Sequence, residues 1–242
     1  MDKVAIVTGG AGGLGSATAR ALAAEGARVM VTDIDEDGGQ AVADEVDGAF
    51  LRIDVSSPEE NREMFDATVE RFGRLDHVFL NAGVASGIGV GEDFDVETYR
   101  RVMGINLDGV VFGVHEAIRV LNQHDGGSVV ATASLAGLTA VPYDPLYAAN
   151  KHAVVGLMRS LGLITEGIRF NAICPGFAES GIIVPIRQAL LDSGLTIIPA
   201  EKVGDAVVSL FEGEMSGEAW FVQPGWDAQN FKFRNIPGPR PE

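Results

Sequence analysis

Tyr147 and Lys151 lie four residues apart in the segment Tyr-Ala-Ala-Asn-Lys, and Ser134 lies thirteen residues before the tyrosine. On a helix, positions i and i+4 share one face, so the phenol and the ammonium can address one small volume. A phenol has a pKa of about 10, and a nearby cation favours the phenolate and lowers that pKa. The spacing therefore predicts a proton-transfer site. Taken alone, the pair is more typical of an ordinary amphipathic helix. The motif at the start of the chain favours the proton-transfer site instead.

A glycine-rich turn near the start of the chain predicts a binding site for a dinucleotide. An apolar run at residues 4–7 precedes Thr-Gly-Gly-Ala-Gly-Gly-Leu-Gly at residues 8–15, and an Ala-rich helical stretch follows to about Glu25. Such a turn lets a pyrophosphate approach the backbone, while the N–H groups and the dipole of the helix N-terminus hold its charge. A glycine-rich segment can also form an ordinary turn, so the prediction depends on the strand before the segment and the helix after it. The predicted cofactor contacts here are Thr8, Gly9, Gly13, Leu14 and Gly15.

Asp33 ends a second apolar run, eighteen residues after Gly15. A carboxylate at this place can accept hydrogen bonds from the 2′-hydroxyl of the adenosine ribose and repels a 2′-phosphate. Residues 9–19 and 29–51 contain no Arg or Lys that could receive that phosphate. The pattern predicts NAD as the cofactor, although Asp33 could also merely begin a loop with Asp35 and Asp37.

In their order, these motifs resemble those of the short-chain dehydrogenase/reductase family in its compact form, from Lys3 to roughly Gln223. The resemblance implies an adenine contact after the third strand, a segment after the fourth strand, and a segment after the sixth strand that binds the nicotinamide carboxamide. In the last of these, Ala178 and Ser180 are shorter than the family's valine and threonine. The cofactor contacts that the resemblance adds are Asp54, Val55, Asn81, Ala82, Gly83, Tyr147, Lys151, Pro175, Gly176, Phe177 and Ser180.

The resemblance also implies a catalytic set of Asn106, Ser134, Tyr147 and Lys151. Tyr147 would exchange a proton with the substrate oxygen during hydride transfer, and Ser134 would hydrogen-bond the same oxygen. Lys151 would lower the proton affinity of Tyr147 and bind the nicotinamide ribose, while Asn106 helps hold a water beside it. Tyr143 lies one turn before Tyr147 but has no lysine four residues later, so it is expected to be a pocket wall.

The segment from 176 to 200 is the region that closes over the substrate in the family, and it is mostly apolar here. Between residues 177 and 200 its charged side chains are Glu179, Arg187 and Asp192. We therefore expect an apolar secondary alcohol or ketone as substrate. The same residues could instead pack the lid on the core. The candidate substrate contacts are Ser134, Leu135, Val141, Tyr143, Phe177, Ile182 and Ile183.

Length and composition favour one sizeable core: the chain has 242 residues, of which 46% are hydrophobic. We predict an α/β fold with a doubly wound, mostly seven-stranded parallel sheet and helices on both faces. Residues 1–242 would form a single Rossmann-fold dehydrogenase domain, with the lid at about 176–200 and a C-terminal tail at about 226–242. The predicted strands are 4–8, 28–33, 49–53, 77–81, 128–133, 169–174 and 219–223.

The charge and cysteine content argue against several kinds of partner. A formal charge of −16 would repel nucleic acid and anionic lipid surfaces. The single cysteine, Cys174, excludes an internal disulfide, and the four histidines lack the spacing of a metal site. No apolar run approaches the length of a membrane span, and no signal segment precedes the first strand. We expect a cytoplasmic enzyme without metal, nucleic-acid or membrane partners.

The C-terminal tail is aromatic and then proline-rich, and we expect no regular structure at residues 231–239. Trp226, Phe231 and Phe233 could dock on a neighbouring subunit, and the resemblance implies a homo-oligomer, commonly a tetramer. Two other functions stay open. A 3-oxoacyl thioester reductase would need a basic patch at the mouth of the site, and a non-catalytic NAD-sensing regulator would have lost one of the four catalytic groups.

Overall fold

The computed structural model describes residues 3–234, and within them a central sheet is flanked by helices. The strands are β1 (Val4–Thr8), β2 (Arg28–Asp33), β3 (Ala49–Arg52), β4 (His77–Leu80), β5 (Gly127–Thr132), β6 (Ile168–Pro175), β7 (Ala219–Val222) and β8 (Gln229–Asn230). The helices are α1 (Gly13–Ala24), α2 (Glu36–Glu45), α3 (Pro58–Phe72), α4 (Val96–Met103), α5 (Gly109–Leu121), α6 (Pro145–Ile164), α7 (Arg187–Asp192) and α8 (Ala200–Glu212).

The strand order in the sheet is β3-β2-β1-β4-β5-β6-β7-β8. The first seven strands in chain order pair in parallel, which confirms the predicted doubly wound class. All seven predicted strands are present, and their ends differ from the prediction by at most one residue. Because the order reverses between β1 and β4, a crevice opens at the carboxyl ends of these two strands, where ligands of such sheets bind.

The short strand β8 is an addition that the sequence did not predict. It pairs antiparallel with β7, and the Phe231 N–H continues this pairing to the Ala219 carbonyl at 2.7 Å. The chain turns back at Gly225, whose φ of +75° suits glycine, and Lys202 of α8 donates to the Trp226 carbonyl at 2.6 Å. Part of the predicted tail therefore belongs to the sheet. Residues 231–234 lack regular structure, and residues 235–242 of the predicted tail lie outside the described range.

Both faces of the sheet are buried, as the continuous apolar strands require. On β1, Val4 and Ile6 face one core cluster, while Ala5 and Val7 face a second cluster on the other side. Helices α3, α5 and α6 cover the first face, and helices α1 and α8 cover the second. Helix side chains that do so are Phe65, Leu121 and Met158 on the first face and Leu22, Leu210 and Phe211 on the second.

Two helices begin in the same way, with a capping side chain followed by proline. The Ser57 hydroxyl accepts from the Glu60 N–H before α3, and the Asp144 carboxylate accepts from the Tyr147 N–H before α6. Proline fits the first helical position because its missing N–H would have no helical partner there. The second pair fixes the start of the helix that holds both Tyr147 and Lys151. Among residues 3–234, no helix has the length and apolarity needed to cross a membrane.

Asp76, just before β4, is buried and ties the first strand to the loop below the sheet. Its carboxylate accepts from the Lys3 ammonium at 2.9 Å, from the Arg74 guanidinium at 2.6 Å and from the Val4 N–H at 3.0 Å. Burial alone would raise the pKa of Asp76, but these donors outweigh it and lower the pKa from 3.8 to about 2. A carboxyl group with a depressed pKa stabilises the fold above its ordinary pKa.

We expect the substitution Asp76→Asn to lower the free energy of unfolding at neutral pH by about 2 kcal/mol. In the wild type this contribution is complete above pH 3.8 and is lost as the pH falls towards about 2, so the two proteins should converge in acid. Urea unfolding at a series of pH values measures both effects. Asp44→Asn is the control, because Asp44 is exposed and its carboxylate bonds only the Gln40 side chain among the residues described. Equal stability of wild type and Asp76→Asn at neutral pH would contradict this account.

Candidate active site

The structure brings the predicted catalytic residues together at the carboxyl ends of β4, β5 and β6. Ser134 follows β5 by two residues, and Tyr147 and Lys151 lie in the first half of α6. Asn106 lies in a π-helical segment, Gly104–Asp108, between α4 and α5. Such single π-turns inside helices occur often at functional sites. Four side chains that are up to 45 residues apart in sequence thus surround one small region.

Ser134 is held in an extended conformation at the start of a 3₁₀ turn, Leu135–Gly137. Its hydroxyl oxygen accepts from the Ala136 N–H at 3.1 Å, which fixes the side-chain rotamer. A hydrogen bond between Ser134 and the Tyr147 phenol favours the phenolate and acts to lower the Tyr147 pKa. The Ser134 and Tyr147 hydroxyl groups therefore lie within hydrogen-bonding distance of each other.

Lys151 is buried, with 2% of its surface exposed, and its ammonium donates to the Thr132 carbonyl at 2.7 Å. The Lys151 Nζ atom lies 5.6 Å from the centroid of the Tyr147 ring. Burial lowers the pKa of Lys151 to about 8, because the charged form loses its hydration. The predicted juxtaposition of the phenol and the amine is therefore present.

The sequence predicted that Lys151 lowers the pKa of Tyr147. In the structure this pKa is raised instead, so that prediction is wrong. Burial raises the pKa of Tyr147 to about 12, although the Ser134 hydrogen bond acts in the opposite direction, and the charge of Asp144 raises it further. Lys151 is directed to the Thr132 carbonyl, and its own charged form is disfavoured by the same burial. Tyr147 therefore holds its proton across the neutral range.

Asn106 holds the loop after β4 through two hydrogen bonds to one residue. Its side-chain oxygen accepts from the Val84 N–H at 2.8 Å, and its amide donates to the Val84 carbonyl at 2.8 Å. A Cβ atom at Gly83 would lie 3.3 Å from the Asn106 oxygen and 3.6 Å from the Lys151 ammonium. Glycine at position 83 thus lets the backbone pass close to both side chains. The predicted role of Asn106 towards a water molecule stays a prediction.

Thr8, Asn81 and Thr132 link the ends of β1, β4 and β5 beneath the crevice. The Thr8 hydroxyl accepts from the Asn81 N–H at 2.8 Å and from the Ala82 N–H at 3.1 Å. The Thr132 hydroxyl donates to the Asn81 side-chain oxygen at 3.0 Å. These residues shape the floor on which a cofactor would lie, and the same Thr132 supplies the carbonyl that holds Lys151.

The glycine turn before α1 has the geometry that a dinucleotide needs. Gly9 has a φ of +64°, and a Cβ atom at Gly15 would lie 2.1 Å from the Gly9 carbonyl oxygen. A Cβ atom at Gly13 would lie 2.3 Å from the Glu179 carbonyl oxygen of the lid. The turn therefore tolerates no side chain at these positions and leaves its backbone open to a pyrophosphate at the N-terminus of α1. Leu14 packs partly on the core, so only its backbone could contribute.

Asp33 lies at the carboxyl end of β2 and is bonded to the glycine turn. Its carboxylate accepts from the Ala11 N–H at 3.0 Å and from the Asp35 N–H at 3.1 Å. A carboxylate has about four acceptor sites, so it can still accept from a ribose hydroxyl. Beyond β3, the Asp54 carboxylate accepts from the Ser56 N–H at 2.9 Å, and Val55 is buried. These positions fit the adenosine end of a dinucleotide along the same sheet edge.

The lid begins at the end of β6 and is tied to the segment before α8. The Gly176 N–H bonds the Val222 carbonyl at 3.0 Å, and Ile198 pairs with the backbone of Phe177 and Glu179. The Ser180 hydroxyl donates to the Ala178 carbonyl at 3.1 Å and has no other hydrogen-bond partner among the residues described. The lid is thus anchored at both ends by backbone hydrogen bonds.

The predicted substrate contacts differ in how exposed their side chains are. Ile183 is 4% exposed, which favours the interpretation that it packs the lid on the core, whereas Tyr143 is 75% exposed at the mouth of the site. The others are partly exposed and can line a cleft: Ser134, Leu135, Val141, Phe177 and Ile182. Cys174 is buried, and burial raises the pKa of its thiol to about 12, so it remains a packing residue.

Sequence reasoning missed two polar residues beside Tyr147. The Asp144 carboxylate, which caps α6, also accepts a hydrogen bond from the Ser86 hydroxyl in the loop after β4. The pair Asp144-Pro145, three and two residues before Tyr147, is a recognisable helix start. That signal could have identified Asp144, but no local pattern indicates its contact with Ser86.

A separate groove of about 550 Å³ lies at the opposite, amino-terminal end of the strands. Asp76 in its wall is bonded to Lys3 and Arg74, and Arg169 donates to the backbone carbonyl oxygen of Phe211 at 2.6 Å. These polar groups serve the fold. The groove lies far from the predicted catalytic residues and is not the active site.

Comparison with known proteins decides the family. The sequence matches the family model described as short chain dehydrogenase over residues 3–190. The chain belongs to the short-chain dehydrogenases. Members of this family are oxidoreductases that use nicotinamide cofactors, which agrees with the glycine turn and the residues around it.

Relatives of this short-chain dehydrogenase cover most of its length. It is 33% identical over 230 residues to cyclohexanol dehydrogenase of Acinetobacter sp. (strain SE19), a match that covers 91% of this chain and 90% of that protein. It is 35% identical over 200 residues to 15-hydroxyprostaglandin dehydrogenase (NAD(+)) of Homo sapiens, with 77% and 72% covered. The crystal structure of levodione reductase superposes with a TM-score of 0.85 at 31% identity, over 93% of this chain and 97% of that chain.

We expect Gly13→Ala to weaken NADH binding by about 10- to 100-fold, because the added methyl group meets the Glu179 carbonyl oxygen and displaces either the turn or the lid. Gly12→Ala is the matched control, since its Cβ would lie 3.6 Å from the nearest atom, the Gly9 carbonyl oxygen. Fluorescence titration with NADH measures the affinity, and a thermal melt verifies that each variant is folded. Equal affinities of the two variants would contradict the assigned close approach.

Proposed function

We propose that this protein is an NAD-dependent oxidoreductase that reversibly transfers hydride between the nicotinamide and an apolar secondary alcohol or ketone. The observation that carries the proposal is the convergence of Ser134, Tyr147 and Lys151 beside the ends of β5 and β6. The nicotinamide, when bound, supplies the hydride acceptor or donor. The protein supplies proton transfer, orientation and exclusion of water.

Tyr147 is the proposed acid and base. In the reducing direction its phenol gives a proton to the carbonyl oxygen, and in the oxidising direction its phenolate takes the proton of the alcohol. Ser134 donates a hydrogen bond to the same oxygen and stabilises negative charge that develops there. A Tyr147 pKa of about 12 keeps the proton in place at neutral pH, so reduction is ready without a change of ionisation. Oxidation of an alcohol should therefore become faster as the pH rises through the alkaline range.

The preference for NAD rests on the charge around the adenosine end. Asp33 is anchored to the glycine turn through Ala11 and would lie against a 2′-phosphate, which it repels. The sequence offers no Arg or Lys at residues 9–19 or 29–51 to offset that repulsion. The name of the human relative specifies NAD(+), which supports the same choice.

The substrate class rests on the apolar surroundings of Ser134 and Tyr147. Leu135, Phe177 and Ile182 are partly exposed near the mouth, and the lid side chains Val184, Ile186, Leu191 and Leu195 are exposed. The relatives named for cyclohexanol and levodione support an alcohol or ketone with an apolar body. We propose residues 176–200 as the lid over this substrate. A reductase of carrier-bound thioesters is disfavoured, since the lid offers no basic patch: between residues 177 and 200 its one basic side chain is Arg187, which pairs with Glu179.

The proposed assembly is a homo-oligomer, and a tetramer is the state that the family resemblance implies. Apolar side chains are exposed on two helices that hold the site: Val111 on α5 and Leu163 and Ile164 at the end of α6. These exposed apolar side chains are available for contact with a second copy of the chain. The proposed enzyme would work in the cytoplasm on a small substrate. A non-catalytic regulator on this fold is disfavoured by the complete set of four polar groups.

We expect Tyr147→Phe to lower kcat by roughly 10²- to 10⁴-fold, because the only acid and base of the proposed reaction is lost. NADH affinity should stay near the wild-type value. The measurement is turnover of a panel of secondary alcohols and ketones with NAD and NADH. Tyr99→Phe is the control, because Tyr99 lies on α4 and is neither a predicted catalytic residue nor a predicted substrate contact. Retention of most activity by Tyr147→Phe would exclude the proposed role.

We expect Asp33→Asn to lower the ratio of kcat/KM for NAD to kcat/KM for NADP by about 10- to 100-fold, because the charge repulsion is removed. The asparagine oxygen can still accept from the Ala11 N–H, so the turn keeps its shape. Asp33→Ala loses this acceptor as well, and its affinity for both cofactors should fall. Steady-state kinetics with both cofactors measures the ratio. An unchanged ratio in both variants would count against the ribose contact.

A further inference from the structure

We propose that Asp144 is a positioning residue of the active site, which joins the start of helix α6 to the loop after β4 and places a negative charge beside Tyr147. This inference rests on the proposed role of Tyr147 as acid and base. Its two parts are separable: a structural link through Ser86 and an electrostatic effect of the Asp144 carboxylate.

The structural link is built by one carboxylate oxygen. Asp144 Oδ1 accepts from the Tyr147 N–H at 3.0 Å, and the Ser86 hydroxyl donates to the same oxygen. The Asp144 carbonyl accepts from the Ala148 N–H at 3.0 Å, so both the side chain and the backbone of Asp144 hold the first turn of α6. Any movement of Asp144 is therefore transmitted to the backbone of Tyr147.

The loop after β4 is held on two sides of the site. On one side Asn106 binds both backbone groups of Val84, and on the other side Ser86 reaches Asp144. Ser86 is 5% exposed, which excludes water as a ready replacement for this partner. Gly83 comes directly before the first attachment and lies close to the site, since a Cβ atom there would be 3.3 Å from the Asn106 oxygen and 3.6 Å from the Lys151 ammonium. The loop is thus fixed both to the segment that holds Asn106 and, through the Ser86 bond, to the start of the helix that holds Tyr147.

The electrostatic part follows from the position of the carboxylate. Negative charge at Asp144 opposes formation of the phenolate and raises the pKa of Tyr147, in addition to the larger effect of burial. The other groups that face Tyr147 are Ser134 after β5, Cys174 on β6, and Tyr143 and Lys151 on its own side of the site. Substitution of Asp144 with asparagine removes its charge with almost no change in the size of the side chain.

Three variants separate the two parts. Asp144→Asn keeps an acceptor for the Tyr147 N–H and the Ser86 hydroxyl, because asparagine caps helices as well as aspartate does, but removes the charge. Ser86→Ala keeps the charge and the helix cap but removes the link to the loop. Asp144→Ala removes all three. Asp95→Asn is the control, since it removes a carboxylate from the N-cap of α4, which bonds the Thr98 N–H in the same way.

The expected results differ among the variants. Asp144→Asn should shift the pH dependence of alcohol oxidation by about 0.5 to 1 pH unit towards acid, with kcat near the wild-type value at high pH. Ser86→Ala should lower kcat several-fold without shifting that profile and with little change in KM for NAD. Asp144→Ala should show both effects and a lower Tm. Asp95→Asn should leave the profile in place.

A second readout makes the inference independent of turnover. The ultraviolet difference spectrum of tyrosinate reports ionisation of Tyr147, and subtraction of the Tyr147→Phe spectrum removes the signals of Tyr99 and Tyr143. The Tyr147 titration should shift towards acid in Asp144→Asn and not in Asp95→Asn. An unchanged titration and an unchanged rate profile in Asp144→Asn would overturn the electrostatic part, and an unchanged kcat in Ser86→Ala would overturn the link. Absence of turnover in the wild type, together with the shifted titration, would instead reject only the proposed reaction.

Discussion

The hydrogen bond from the Lys151 ammonium to the Thr132 carbonyl is the contact on which the site depends. A buried amine needs an acceptor, and the last residue of β5 provides one at 2.7 Å. This bond sets helix α6 against the end of the sheet, with Tyr147 one turn earlier on the same face. Ser134 follows Thr132 by two residues, so the strand that holds the amine also places the second hydroxyl. Thr132 further reaches Asn81 through its own hydroxyl, which connects this arrangement to the floor of the crevice.

The burial that creates this geometry also decides its electrostatics. Removal from water raises the pKa of Tyr147 to about 12 and lowers the pKa of Lys151 to about 8, so both groups are pushed towards their neutral forms. The Ser134 hydrogen bond favours the phenolate, and the Asp144 charge opposes it. Opposing influences on one titratable group are typical of sites that move protons. At neutral pH the structure thus holds a protonated phenol, surrounded by groups that act on its pKa in opposite directions.

The fold was predictable because its signals are local and repeated. Continuous apolar runs such as Val78-Phe79-Leu80 identify strands covered on both faces, and the glycine turn after Thr8 identifies the first crossover. Strand β8 was not predictable, since it pairs only two residues and depends on the turn that Lys202 holds. The spacing of Tyr147 and Lys151 predicted their proximity but not their pKa shifts, because desolvation depends on the packing of distant segments. The same reason hid the contact of Asp144 with Ser86, which lies 58 residues away in sequence.

The cofactor turn and the substrate lid share a surface, and this contact couples two parts of the site. The Glu179 carbonyl lies where a side chain at Gly13 would be, so the lid backbone packs directly on the turn that would receive the pyrophosphate. Glu179 also pairs with Arg187 of α7 at 2.9 Å, which connects this point to the outer part of the lid. Backbone hydrogen bonds between Ile198 and the residues Phe177 and Glu179 join the two ends of the lid, and the Glu179 end is the part that faces α1. Glycine at position 13 therefore admits the lid backbone, and it would also admit the phosphate group of a bound dinucleotide.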